Sequence, residues 1–229
     1  MFTINDNEIT TALNNTGYAI IPKVWTKEVC AAMIALYDEP THFRKTIQME
    51  RYRFGAGEYK YFTYPLPARI QQLRQQLYGH IYTIANAWSN ALQLGMQYPA
   101  THDAFIDQCK THKQTLATPL LLKYGNGGYN TLHQDLYGDI YFPFQAVVFL
   151  NDPHNDYTGG EFVLTQQVPR AQSKAVVLQP EQGDVLIFTT RFRPQKGTKG
   201  YYRVNVKHGV SEVHSGQRHT LGIIFHDAG

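Results

Sequence analysis

Cysteine is nearly absent from this chain: Cys30 and Cys109 are the only two in 229 residues. With no C-x-x-C spacing they exclude a disulfide framework and favour a reducing compartment. No apolar run approaches the length of a membrane span, and the opening MFTINDNEITTALNN lacks the basic and apolar parts of a secretory signal. These absences predict a soluble, cytoplasmic protein. Charge is sparse as well, at 17% of residues and a net of +3, which permits an anionic partner without requiring one. There is no internal repeat and no low-complexity linker. What remains is a chain of ordinary apolar and rich aromatic content, long enough for one well-buried domain or two small ones.

The two halves have different periods. In the first, Tyr18 to Ile21 reads as a short strand, and Thr26 caps a helix from Lys27 to about Tyr37. Pro67 opens the longest helix, because Ile70, Leu73, Leu77, Ile81, Ile84, Trp88 and Leu92 recur at steps of three and four. A third helix follows Thr101 or Asp103. After Thr118 come PFQAVVFL, EFVLT, KAVVLQ, VLIFTT, YRVNVKH and RHTLGIIF, separated by turn formers such as NDPHNDYTGG and PEQGD. That spacing predicts a sandwich, jelly roll or barrel. In YRVNVKH, Val204, Val206 and His208 share one face. In RHTLGIIF, Arg218, Thr220 and Gly222 oppose Leu221, Ile223 and Phe225, which predicts a covering helix behind the sheet and a cavity in front.

Candidate chemistry starts at His133-Gln134-Asp135. Two imidazoles and one carboxylate on one side of an ion make a facial triad with open positions, and H-x-D supplies two of the three. Alone the motif is weak, since about half an occurrence is expected by chance at this composition. A second copy, His154-Asn155-Asp156, lies among turn formers and reads as an exposed turn. The first copy sits between apolar strands, and His208 is the best-placed third ligand. His214 lies in a turn, His219 shares an apolar face and His226 is nearly terminal. Arg218, ten residues after His208, offers a planar guanidinium for a carboxylate.

The combination resembles the Fe(II)- and 2-oxoglutarate-dependent dioxygenases, in the prolyl-hydroxylase-like branch. Tyr124 stands nine residues before His133, and GGEFVLT and PEQGDVLIF are similar to segments of that branch, over roughly Pro119 to Phe225. More narrowly, TPLLLKYG, LHQDLYGD, KHGVSEVHSGQRHTLGIIFHDA and RYRFGAGEYKYFTYPLP are similar to a prokaryotic family of oxygenases acting on damaged DNA. The resemblance implies a double-stranded β-helix (jelly roll), mainly β, with N-terminal helices packed on the major sheet. It implies a single catalytic domain over 1–229, with 1–115 as mostly helical support and 116–229 as the β core. Iron is expected on His133, Asp135 and His208, and 2-oxoglutarate on Arg218, Tyr124 and Thr220, with O2 as the oxidant. The repair enzymes for alkylated bases carry a second arginine six residues after the cosubstrate arginine; here that position is Ile224.

For the substrate, Arg191 to Lys207 carries six basic residues and no acidic one, and Arg44 to Phe62 mixes cations with five aromatics. Oxidative demethylation of an alkylated nucleic-acid base, damaged or single-stranded, is therefore one expectation. Tyr129, Arg191, Arg193, Tyr59 and Tyr61 are its candidate contacts, with Lys196 and Lys199 beside them. The alternative is hydroxylation of a protein side chain or small metabolite at the same iron centre. A non-catalytic binding module is disfavoured, because a buried Asp135 between two histidines has little use without a cation.

Overall fold

A computed structural model describes residues 4–136 and 138–229. Helix α1 (Asp6–Thr16) starts where the Asn5 side chain accepts from the backbone N–H groups of Asn7 and Glu8, and ends at Gly17, whose φ of 79° suits the left-handed cap. Strand β1 (Tyr18–Ile21) follows, then α2 (Lys27–Ala35), capped by Thr26. Three strands come next: β2 (Phe43–Gln48), β3 (Gly55–Ala56) and β4 (Glu58–Phe62). The long helix α3 (Ala68–Ala91) begins after Pro67, and α4 (His102–Thr111) is capped by Thr101. The rest is strand: β5 (Leu120–Tyr124), β6 (Tyr129–His133), β7 (Phe144–Phe149), β8 (Tyr157–Gly159), β9 (Phe162–Gln167), β10 (Lys174–Leu178), β11 (Val185–Thr189), β12 (Phe192–Gly197), β13 (Gly200–Val210), β14 (Val213–Gly216) and β15 (Arg218–Ile224). Among the described residues no helix is long and apolar enough to cross a membrane.

The strands pair antiparallel into a large sheet, β1-β11-β7-β15-β5-β4-β2, and a smaller one, β10-β9-β13-β6-β3, with β12 added along β13. Strands β8 and β14 form a separate ribbon. The expected double-stranded β-helix (jelly roll) is thereby corrected: both large sheets are open, and among the described residues none closes into a barrel or curls strongly on itself. The physical reason lies in the first half of the chain. Strands β1, β4 and β2 extend the large sheet at both ends and β3 extends the small one, so the two ladders run to separate edges.

The two sheets meet through Phe149, Leu186 and Phe188 on one side and Phe162, Leu164 and Val206 on the other. The opposite face of the large sheet is covered by helices. Ile70, Leu73, Leu77, Ile81, Ile84 and Trp88 of α3 join Ala146, Val148, Val185, Ile187, Leu221, Ile223 and Phe225 in one buried cluster. Each such aliphatic side chain contributes about 1.5–3 kcal/mol by leaving water. One charge interrupts the stripe. Arg74, fully buried, donates to the backbone carbonyls of Ile224, Phe225 and His226 and to Asp227 at 2.8 Å, tying α3 to the end of β15.

Candidate metal and cosubstrate site

The two histidines of the triad occupy one rung of a ladder. His133 ends β6, His208 lies on β13, and the two are direct cross-strand partners with ring centroids 4.2 Å apart. On β13, Val204, Val206 and His208 are buried while Arg203, Asn205 and Lys207 are exposed, as the period of two requires. Asp135 lies two residues beyond β6. Between them, Gln134 turns the other way and its Nε2 donates to the carbonyls of Arg191 (2.8 Å) and Val206 (2.7 Å), so His133 and Asp135 emerge together.

Asp135 faces both rings, with Oδ1 at 3.4 Å from Nε2 of His133 and Oδ2 at 3.3 Å from Nε2 of His208. Octahedral ligands about 2.1 Å from one ion stand about 3 Å apart, so these separations fit a shared cation. The three ligand atoms lie within 4.8 Å of one another, the one such group among the described residues. Nδ1 of His133 meets the Thr131 carbonyl at 2.7 Å; donating there, it leaves the Nε2 lone pair toward the ion. Burial lowers the pKa of His208, His133 adds to that, and Asp135 opposes it. The neutral imidazole is the form that binds metal.

Opposite the triad, on the large sheet, stands Arg218. It pairs in register with Tyr124 and is 1% exposed; the Tyr157 hydroxyl is beside it, where Arg218 opposes the upward shift that burial causes, and among the described residues no carboxylate is in ion-pair range of the guanidinium. The guanidinium carbon lies 5.5 Å from the Tyr124 ring and 5.4 Å from the Phe149 ring. Gly160, at φ 64°, passes so close that a Cβ there would meet Cδ of Arg218 at 2.9 Å. Tyr124 is fully buried, and burial pushes its hydroxyl up to about 12 while Arg218 pulls it back. Thr220 is buried on the same face as Arg218.

Triad, Arg218, Tyr124 and Thr220 share one cavity of about 270 Å³ between the sheets. Tyr59 and Tyr61 also line it, edge to face at 5.4 Å. The other sequence candidates stand elsewhere: Tyr129 is 40% exposed and outside the lining, Arg191 lies against the Phe192 ring, and Arg193 is buried on β12. Of the rival histidines, His154 pairs with Glu181 at the surface, His214 is exposed on β14, His219 packs edge-on to Tyr37, and His226 is buried against the Phe142 N–H. The structure adds three lining residues the sequence reading passed over. Phe54 stands at the solvent edge, 46% exposed; Asn130 donates to the Tyr124 hydroxyl at 3.4 Å; and Gln145, 4% exposed, has an Nε2 without a partner. Gln145 sits in an apolar run, PFQAVVFL, where a single polar residue gives no sign of which face it joins.

The residues fit the groups they suggest. Three ligands leave an ion with open positions, and a buried guanidinium without a carboxylate partner calls for an anion within reach. The fold is shared with a Burkholderia pseudomallei oxidoreductase of the 2OG-Fe(II) oxygenase family (TM-score 0.59, 14% identity, 100% of this chain and 95% of that one). It is shared also with a Pseudomonas putida prolyl-4-hydroxylase (TM-score 0.54, 14% identity, 98% and 100%). A Trichoplax adhaerens prolyl hydroxylase, solved with a hypoxia inducible factor peptide fragment, aligns similarly (TM-score 0.54, 15% identity, 96% and 87%). Fold and triad together define a dioxygenase dependent on Fe(II), 2-oxoglutarate and O2. A family model described as an oxygenase catalysing oxidative methylation of damaged DNA matches residues 57–228, and the chain belongs to that family. Two uncharacterised Mycobacterium tuberculosis proteins are 45% identical over 167 residues, covering 73% of this chain and 72% of theirs.

Proposed function

We propose that His133, Asp135 and His208 hold the iron, that Arg218 receives the distal carboxylate of 2-oxoglutarate beside Tyr124 and Thr220, and that the group hydroxylated belongs to a protein side chain or a small metabolite. The observation that carries the cosubstrate assignment is Arg218, buried among apolar and aromatic groups with no carboxylate in ion-pair range among the described residues. A guanidinium so placed costs several kcal/mol unless an anion joins it, and a dicarboxylate reaching toward the triad supplies one. When bound, metal and cosubstrate provide the oxidant for a C–H bond, with succinate and carbon dioxide as co-products. The chain itself orients both and keeps water away with Leu122, Val147, Phe162 and Phe188.

The same lining favours an uncharged substrate group. Arg218 is its only Arg or Lys, and Ile224 stands near the other end of β15. The partnerless Nε2 of Gln145 suits a hydrogen-bond acceptor on that group.

One observation favours the second reading, an alkylated base. The Tyr52 and Phe54 rings stack at 5.5 Å and 19° at the solvent edge of the cavity, both exposed, with exposed Arg51 and Arg53 beside them. Base stacking with phosphate contacts uses this combination. Succinate formation, measured against peptides and small amides in one panel and alkylated single-stranded oligonucleotides in another, decides between them. Stimulation by the first panel sustains the hydroxylase; stimulation by the second alone replaces it with base oxidation.

A further inference from the structure

Outside the cavity, and sharing no residue with its lining, a groove of about 560 Å³ runs between the end of α1, the face of α3 around Trp88, and the β12–β13 hairpin. Arg193 lies in it, 9% exposed, with no carboxylate in ion-pair range among the described residues. Its Nε has no partner and its Nη2 donates to Oε1 of Gln195 at 3.1 Å. Lys196 lines the same groove from the solvent side.

Two of the neutral groups there already use their oxygens within the protein. Oδ1 of Asn14 is taken by the indole N–H of Trp88 at 2.7 Å, and Oε1 of Gln195 is taken by Arg193. The NH2 groups of both carboxamides have no hydrogen-bond partner among the described residues, and the exposed Tyr201 adds a hydroxyl and a ring. No Asp or Glu is in the lining. A surface with two cations, several donors and no carboxylate matches a ligand made of acceptors.

We propose that this groove is a second binding site, one that recognises the phosphate of an organic phosphate. A phosphate offers several anionic acceptors to the Arg193 fork and the Lys196 ammonium, and the groove is larger than that group alone requires. A free nucleotide and a single nucleic-acid strand both present this chemistry.

The test uses the whole protein with 2-oxoglutarate present, so that Arg218 is occupied. Inorganic phosphate, dAMP and a short oligothymidylate are titrated while the Trp88 indole cross-peak, one of two in the chain, is followed by NMR. The expected result is a saturable shift of that peak with all three probes, and a loss of affinity of about tenfold or more in both Lys196→Gln and Arg193→Met, as for one charge-assisted contact removed. Lys196 is exposed, so its variant reads binding even where Arg193→Met fails to fold. Equal affinity for dAMP and the oligonucleotide identifies a nucleotide phosphate. Tighter, steeply salt-dependent oligonucleotide binding identifies a strand. A stationary Trp88 peak, or a Lys196→Gln protein that binds phosphate as before, overturns the site.

Discussion

Among the described residues, Arg218 and Gln145 are two of the three cavity side chains with a buried nitrogen left without a geometric hydrogen-bond partner, Nδ1 of His208 being the third, and each of the two gives a prediction. Arg218→Ala is expected to weaken 2-oxoglutarate binding tenfold to several hundredfold, since charge-assisted hydrogen bonds are worth about 1.5–3 kcal/mol each. Metal affinity stays unchanged, and Arg218→Lys falls between because charge returns without the fork. Calorimetric titration of metal and cosubstrate separately checks this. Arg203, the rival basic residue, is on β13 in the other sheet and not on a strand neighbouring β15; it is exposed and stacks on Phe192. Gln145→Leu is expected to raise KM for the hydroxylated substrate about tenfold, the worth of one buried hydrogen bond, with 2-oxoglutarate affinity held. A merely structural role would shift both. At this scale the sequence was legible where chemistry follows parity: His208 with Val204 and Val206, Arg218 with Thr220. It was silent on Gln145, and on Gln134, whose two backbone contacts to distant strands aim the H-x-D pair.

Elements show the same division. Thr26, Pro67 and Thr101 mark helix starts through local chemistry, and α2, α3 and α4 begin at them. Helix α1 was not legible, because its sequence DNEITTALNNT buries only Ile9 and Leu13 and leaves no apolar stripe to count. Strands β2 and β4 interleave aromatics with charges and β3 is only Gly55-Ala56, so their place is set by long-range pairing. The shortest of them is the most constrained. Gly55, at φ 144°, lies where a Cβ would come within 2.2 Å of the Tyr129 carbonyl oxygen, on the strand that ends in His133. Gly55→Ala is expected to cost about 2 kcal/mol in urea unfolding, from backbone strain and forced separation of β3 from β6. Because Phe54 precedes it at the cavity edge, substrate KM rises as well; an unchanged midpoint and KM would show that β3 is dispensable.

For the molecule as a whole, acid is the informative stress. Burial lowers the pKa of His102 to about 3, of His226 to about 3 and of His219 to about 4, against 6.5 for the free side chain. Well above pH 6.5 all three are neutral folded or unfolded and stability is flat. Below it the unfolded chain takes up protons that the folded chain refuses, so stability falls down toward the folded values. Each histidine contributes a slope of about 1.4 kcal/mol per pH unit. His102→Gln, which keeps a donor for the Phe225 carbonyl, is expected to remove about a third of the slope these three contribute between pH 6.5 and 5, measured by denaturant unfolding at several pH values. The order of strands across each sheet was not legible, because no local pattern encodes which strand neighbours which, and the open sheets depart from the closed form that the resemblance implied.

That openness has a consequence for catalysis. His133 and His208, the proposed iron ligands, ride on one sheet and Arg218, the proposed carboxylate clamp, on the other, with no ladder joining the two among the described residues. Their spacing is set by the hydrocarbon between them, by Phe149, Phe162, Leu164, Leu186, Phe188 and Val206. The core of this sandwich is thus the jaw setting of a caliper, and trimming it changes the reach across which one small dicarboxylate must be gripped at both ends.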